Sequence, residues 1–439
     1  MLALLAGCTS APAKQNARWF PDDARANPTK HVDVTVRNGV NAAALGVGST
    51  PRGYGSVPAY VATREAREQA HDLEKRYRLH AVASWPISML DVYCLVYRID
   101  DGTDRDTLLT ALKRDPSVES AQPLGSFSTQ ATFAGAALSE PSTSYRGYND
   151  TYARLQSNLA ELAVPQAQRW SRGEGVRIAV IDTGVAIDHA DLKGRIAGWQ
   201  NFIDDDAARF RSDRHGTAVA GVIAAVANNN VGIVGIAPQV KLLAYKACWE
   251  TSGREGASCN TFTLARALAA AIDARVDIVN LSLAGPSDAL LTRLVRSAQR
   301  AGTIVVGAAG TDGTGFPVDV EGVIGVDMLG SGHSAPGLIR APGKDIFTLT
   351  PADHYDAASG SSLAAAEVSA MVALLRARDS RVGAERARSL LEASARPVST
   401  AGGLWPVINA CEAMNSLGRG VSCQAADLPA VAEETRFRR

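Results

Sequence analysis

The sequence predicts an α/β fold, a parallel sheet with helices on both faces, preceded by a small α+β domain. Two observations carry this. From about residue 150 onward, short apolar runs (Val176–Ile181, Val240–Lys246, Asp277–Leu283, Thr303–Ala308) alternate with helical stretches such as Thr263–Ala274 and Asp288–Ala301. That is the pattern of strands buried on both faces. Before residue 125 the order is helix, strand, strand, helix, strand, which places helices on one face of an antiparallel sheet.

Composition bounds the function. The chain has 439 residues, 46% hydrophobic and 21% charged, enough for a large core and a second domain. Lys plus Arg (45) equals Asp plus Glu (45), so no global charge favours nucleic acid. No run of about 18 apolar residues is present, and no bilayer-spanning helix is expected.

Taken in order, residues 1–8 end in Leu5-Ala6-Gly7-Cys8, which reads as a bacterial lipoprotein processing box with Cys8 as the lipidation site. No basic residue precedes Cys8, and the apolar stretch is short for a signal. Either the start lies upstream or the match is chance. Residues 9–58 are rich in Ala, Asn, Gly, Pro and Arg without sustained periodicity and are expected to be a flexible tether. Residues 59–124 carry the α+β pattern. A charged helix over Thr63–Tyr77 is followed by strands His80–Ile87 and Val92–Ile99. Asp104 caps a helix over Thr107–Arg114 that Pro116 stops, and Val118–Gln122 is a short strand. Residues 125–148 have no apolar pattern and are expected to be an exposed linker, where proteolysis concentrates. Residues 149–423 form the α/β domain, and 424–439 a tail. Cys248 with Cys259, and Cys411 with Cys423, are close enough in sequence to close short disulfide loops in an exported protein, or else are isolated thiols; Cys94 is left over.

Three segments carry chemistry. In Val180-Ile181-Asp182-Thr183-Gly184 a buried strand delivers a carboxylate to a glycine turn, at the strand end where α/β sheets gather catalytic groups. Asp182 either orients an imidazole or caps the turn. An aspartic protease would need a second Asp-Thr-Gly, and none is found. In Asp213-Arg214-His215-Gly216-Thr217-Ala218-Val219-Ala220-Gly221, small residues form a close-packing helix with His215 exposed at its start, suited to proton transfer near neutral pH. In Ser359-Gly360-Ser361-Ser362-Leu363-Ala364-Ala365 a glycine turn delivers Ser362 to a helix start. It is there either as an N-cap or as a nucleophile beside free backbone N–H groups.

The order Asp, His, Ser on a parallel α/β chain resembles the subtilases over roughly residues 150–417, as do Ile181-Asp182-Thr183-Gly184, His215–Gly221, Asn280-Leu281-Ser282-Leu283 and Gly360-Ser361-Ser362-Leu363-Ala364. The resemblance implies a subtilisin-like sheet behind a ferredoxin-like propeptide domain that is cleaved off. It also implies a serine endopeptidase in which Ser362 attacks, His215 relays the proton and Asp182 orients His215. Ser282, Leu283 and Ala284 would pair with substrate backbone, and Ala308, Ala309 and Gly310 would wall the pocket for the residue before the scissile bond. Its partners would be polypeptide substrates, its own propeptide and, through the anchor, a membrane. Its location would be the bacterial envelope or the medium.

The pattern departs in places. Thr311 stands where subtilases place the oxyanion Asn, leaving the Thr311 and Ser361 hydroxyls and the Ser362 N–H as donors. Ala366-Glu367 replaces the usual Pro-His, and Met328–Ile346 is short. No metal site is assigned. Calcium, common in the family, has Asp188, Asp191 and Asp204–Asp206 as candidates. The alternative to an active enzyme is a subtilase-like binding module with weak or no turnover; a third reading is ester hydrolysis.

Overall fold

In the computed structural model the described residues are 22–39, 60–133, 147–251, 256–332, 336–400, 403–418 and 420–423. Strands β1 (His31–Arg37), β2 (Leu79–Ile87), β3 (Val92–Ile99) and β4 (Ser120–Pro123) form an antiparallel sheet in the order β2-β3-β1-β4. Helices Arg64–Tyr77 and Arg105–Arg114 contribute Leu73, Leu108, Leu109 and Leu112 to the core on one face of it. Both helices start where side-chain caps allow. Thr63 Oγ1 accepts from Ala66 N at 3.1 Å, and Asp104 Oδ1 from Thr107 N at 2.8 Å.

β1 corrects the expectation of a tether over residues 9–58. His-Val-Asp-Val-Thr-Val-Arg alternates, with Val32, Val34 and Val36 packed on the two helices. The polar set between them, Asp33 and Thr35, is buried too, because the opposite face of the sheet packs on the α/β domain. There Ile87, Val92, Cys94 and Val96 share a cluster with Phe262, Leu290, Leu291 and Leu294 of helices Thr261–Asp273 and Ala289–Arg300. Cys94 is a buried free thiol in that seam.

The α/β domain is built on a seven-stranded parallel sheet. Strands β7 (Arg177–Asp182), β8 (Ile196–Asn201), β9 (Lys241–Lys246), β12 (Ile278–Leu281), β14 (Ile304–Ala308), β15 (Ile324–Met328) and β16 (Ile339–Ala341) lie in the order β16-β15-β14-β12-β7-β9-β8. The two faces bury separate sets of residues. Val180, Val306 and Val326 pack with helices Arg214–Ala224 and Ser361–Arg378, and Ala179, Ile181, Val279 and Val305 with helices Thr261–Asp273 and Ala289–Arg300. The cysteines pair as Cys248–Cys259 and Cys411–Cys423, with Cα–Cα distances of 4.3 and 5.7 Å. The first joins β10 (Cys248–Glu250) to β11 (Ala257–Asn260). Cys8 and the 424–439 tail lie outside the described residues.

The linker expectation for 125–148 is corrected where the chain is described. Residues 126–133 are not exposed linker but two strands, β5 (Ser126–Thr129) and β6 (Thr132–Phe133), laid through the cleft at the end of the sheet. Phe127, Thr129 and Ala131 are buried. Their apolar content is low because most of their contacts are backbone pairings along the edges of the cleft, with Phe127 and Ala131 reaching the core.

Candidate active site

Asp182 ends β7, the strand between β12 and β9, and the turn after it must pass close to the next helix. A Cβ on Gly184 would lie 2.0 Å from the Phe210 carbonyl oxygen, and one on Gly216 2.5 Å from the Gly184 carbonyl oxygen. Glycine at 184 lets the turn pass against Phe210 of helix Ala207–Ser212, and glycine at 216 lets helix Arg214–Ala224 start against the turn. Gly216 N–H donates to Thr183 Oγ1 at 2.9 Å. The result is a carboxylate–imidazole pair, His215 Nδ1 to Asp182 Oδ1 at 2.7 Å. His215 is not exposed as expected but 2% accessible. Its Nε2 has no hydrogen-bond partner among the described residues.

The turn is anchored from below by a pair the sequence did not single out. Asp213 accepts from Gly184 N–H at 2.7 Å and from the buried Lys246 ammonium. Burial pushes Asp213 up to about 6, against the pull of Lys246.

Ser362 lies in the first turn of helix Ser361–Arg378, after Gly360 at φ 153. A Cβ on Gly360 would fall 1.8 Å from the Gln130 carbonyl oxygen, so glycine is what admits this peptide. Three bonds surround the serine. Gln130 N–H donates to Ser362 Oγ at 2.9 Å, Ser362 Oγ donates to the Ser282 carbonyl at 2.7 Å, and Ser362 N–H donates to the Gln130 carbonyl at 3.3 Å. Behind it, Ser282 Oγ donates to the Ser362 carbonyl, Asn280 to Ser282 Oγ, and Ser369 to Asn280, locking the end of β12 to the helix.

The peptide is held as an added strand. Ser128 and Thr129 pair antiparallel with Ala284 and Leu283 of β13 (Leu283–Ala284), and Ser126–Ser128 pair with β11 on the other side. Phe127, 2% exposed, meets Phe316 edge to face at 5.6 Å. A Cβ on Gly285 would strike the Phe127 ring at 2.4 Å. Beyond Ser362, Thr132 and Phe133 pair with Ser359 and Ala358 of β18 (His354–Ser359). Ala308 and Ala309 are buried, and a Cβ on Gly310 would sit 3.3 Å from that of Ala284 on β13. The Gln130 carboxamide folds back to Ser128 O and Oγ at 3.2 and 3.0 Å.

The donors expected around the oxyanion are not all assembled. Ser361 Oγ donates to Asp327 Oδ1 at 2.9 Å rather than toward Gln130, since Asp327, buried near the end of β15, needs donors and also accepts from the Ser331 hydroxyl and the Met328 N–H. Thr311 is exposed, on a turn closed by Gly313 N–H to the Gly310 carbonyl. Asp327 escaped the sequence reading because only tertiary packing brings it to Ser361. Glu367 is fully buried but faces Asn158, whose amide donates to it at 2.8 Å. Burial raises its carboxyl well above the usual range.

Of the calcium candidates, Asp188 pairs with Arg211 at 2.7 Å, Asp204 accepts from Asn201, and Asp206 caps the helix at Ala208 and Arg209. Asp191 is different. It is buried, accepts from Asn229 and Ile233 N–H at 2.8 Å each, and is pushed up to about 6 by burial, with Asp150 and Asp353 adding to the shift. Among the described residues no group of three or more His, Cys, Asp or Glu is arranged to hold a metal.

Fold and cleft define a class first: a parallel α/β protein with an Asp–His pair and a helix-start serine meeting an extended peptide. Comparison with known proteins then gives the family. Residues 173–406 match the subtilase family, peptidase S8, and the chain belongs to it; this is a family of serine peptidases. The chain is 30% identical over 271 residues to thermitase of Thermoactinomyces vulgaris, spanning 58% of this chain and 94% of that protein. It is 31% identical over 326 residues to a thermophilic serine proteinase of Bacillus sp. strain AK1, spanning 70% and 76%. Its fold is similar to the crystal structure of fervidolysin from Fervidobacterium pennivorans, a keratinolytic enzyme related to subtilisin, at a TM-score of 0.68 and 19% identity. That match covers 88% of this chain and 61% of that one, and at this identity it speaks for the fold alone.

Proposed function

We propose that the chain is a self-processing serine endopeptidase, described here as its uncut precursor with the Gln130–Ala131 bond at the nucleophile. One observation carries this: Ser362 bonds to both the N–H and the carbonyl of Gln130, in a strand whose register runs on through both sides of the cleft. In this reading Ser362 Oγ attacks the Gln130 carbonyl carbon and His215 Nε2 takes its proton. His215 then returns the proton to the Ala131 amine as it leaves, and Asp182 holds the imidazole in the donating tautomer at Nδ1. Water repeats the sequence on the acyl-enzyme. Because Ser362 Oγ now donates to Ser282, the first step requires the hydroxyl to swing to the imidazole. Residues 31–124 then act as the propeptide domain.

Export supports the two disulfides, and Cys8 would supply a lipid anchor. No helix of the described residues is long and apolar enough to cross a membrane. Calcium would fit best at Asp191, a buried carboxylate that has Asp150 nearby and no ion pair with Lys or Arg among the described residues. Such a cation would neutralise the two carboxylates and hold the 228–233 loop.

The weak-turnover reading has its own observation: Ser362 N–H is the donor that reaches the Gln130 carbonyl, with Ser361 turned to Asp327. Labelling by a fluorophosphonate separates the two. Wild type should be labelled and cleave casein, while Ser362→Ala does neither; an unlabelled wild type would favour the binding module.

A further inference from the structure

The peptide in the cleft carries an aromatic side chain three residues beyond the Gln130–Ala131 bond, and that ring meets a residue with no part in the chemistry above. Phe133 is fixed by its pairing with Ala358 of β18. The guanidinium carbon of Arg214 lies 4.2 Å from the centroid of the Phe133 ring. Two contacts hold Arg214 in place. Its Nη2 donates to Asp356 Oδ2 at 2.9 Å, and its backbone N–H donates to Glu250 Oε1 at 2.6 Å. Asp356 belongs to β18 itself, so the strand that pairs with the peptide backbone also holds a cation over the peptide's side chain. A guanidinium over a ring face is attracted by the ring's quadrupole. The partnering carboxylate offsets the cation's charge, so the contact favours aromatic over acidic side chains.

Between the bond and Phe133, Ala131 is buried and Thr132 exposed. The first position past the bond therefore calls for a small residue, and the second is open to solvent.

We propose that Arg214 is a specificity-determining residue on the leaving-group side of the cleft. It selects polypeptides with a small residue directly after the cleaved bond and an aromatic residue at the third position. This rests on the endopeptidase reading above. The contact is partly exposed, so its effect is about two- to five-fold in kcat/KM. It is made to the bound peptide before and during reaction alike, which puts the effect in KM rather than kcat.

The test uses processed enzyme and internally quenched peptides Phe-Ser-Thr-Gln-Ala-Thr-X, with X as Phe, Leu or Ala. Leu controls for apolar burial without a ring. Wild type should prefer Phe to Leu by about two- to five-fold, and Arg214→Gln should bring the ratio close to one. Asp356→Asn keeps the cation but loosens it, and should lower the ratio without abolishing it; this variant guards against misfolding at Arg214. Intact Ser362 labelling with an unchanged ratio in Arg214→Gln, or no preference in wild type, would overturn the assignment alone. If no peptide is cut and Ser362 takes up no fluorophosphonate, the endopeptidase reading fails and the assignment with it.

Discussion

Gln130 and Ser362 hold each other through both backbone groups of Gln130: Gln130 N–H reaches Ser362 Oγ at 2.9 Å, and Ser362 N–H reaches the Gln130 carbonyl at 3.3 Å. The carbonyl thus already faces the N–H of the helix start, while the hydroxyl is parked on Ser282. In the proposed self-cleavage, this arrangement docks the peptide before the proton path is closed.

Asp182→Asn tests that path. Oδ1 accepts from the imidazole at Nδ1; an amide there would favour the wrong tautomer and leave Nε2 protonated. Turnover on peptide should fall about 10⁴-fold with little change in fold. Steady-state kinetics with circular dichroism checks it.

Ser361 and Thr311 should respond in opposite ways. Ser361 Oγ is committed to buried Asp327, so Ser361→Ala should cost about 1 kcal/mol of stability and leave kcat within about three-fold. Thr311→Asn supplies the amide missing from an oxyanion site that in subtilisin is worth about 10²–10³ in turnover. A rise in kcat without a fall in KM is expected.

Asp33 gives a pH dependence. It is buried in the seam between the N-terminal sheet and the α/β domain. Burial pushes it well above the carboxylate range, the Asp288 carboxylate adds to that, and Thr261 opposes it. Buried Cys94 stands nearby, itself raised by burial and by both carboxylates. A carboxyl raised on docking binds its proton more tightly in the docked state. Its contribution is therefore greatest near and below the ordinary carboxylate value and shrinks as pH rises through the raised one. Melting of the Ser362→Ala precursor should fall from pH 5 to 8, and adding Asp33→Asn should flatten the curve. Asp191, Asp213 and Glu367 slope the same way, so the difference between the two proteins is the measurement.

Lys246 and Asp213 are both buried, and Asp213 also holds Gly184 N–H. Lys246→Met strands the carboxylate and should cost about 3–5 kcal/mol in denaturant unfolding. Combining it with Asp213→Asn should recover most of that loss.

Much of this was legible in the sequence. The strands feeding the site are nearly continuous apolar runs, and β7, β9, β12 and β14 fall within a few residues of where those runs placed them. Asp182, His215 and Ser362 announced themselves through the glycines beside them, which the close approaches at Gly184, Gly216 and Gly360 explain. β1 was missed because Asp33 and Thr35 break its apolar run and the segment around it has no pattern. β5 and β6 were missed for a different reason. Ser126–Phe133 reads as linker because its structure comes from backbone pairing with a cleft formed by residues more than 100 positions away. For the same reason Asp327 could not be tied to Ser361, nor Arg214 to Phe133: each pair meets through tertiary placement, with no local spacing to signal it.

The most direct measurement is the N-terminus of the mature chain. Wild type and Ser362→Ala are expressed in parallel, and the products are mapped by intact mass and N-terminal sequencing. A new terminus at Ala131 in wild type, absent from Ser362→Ala, is the predicted result. An uncut wild type, or cutting at Ala131 that persists without the serine, would contradict it.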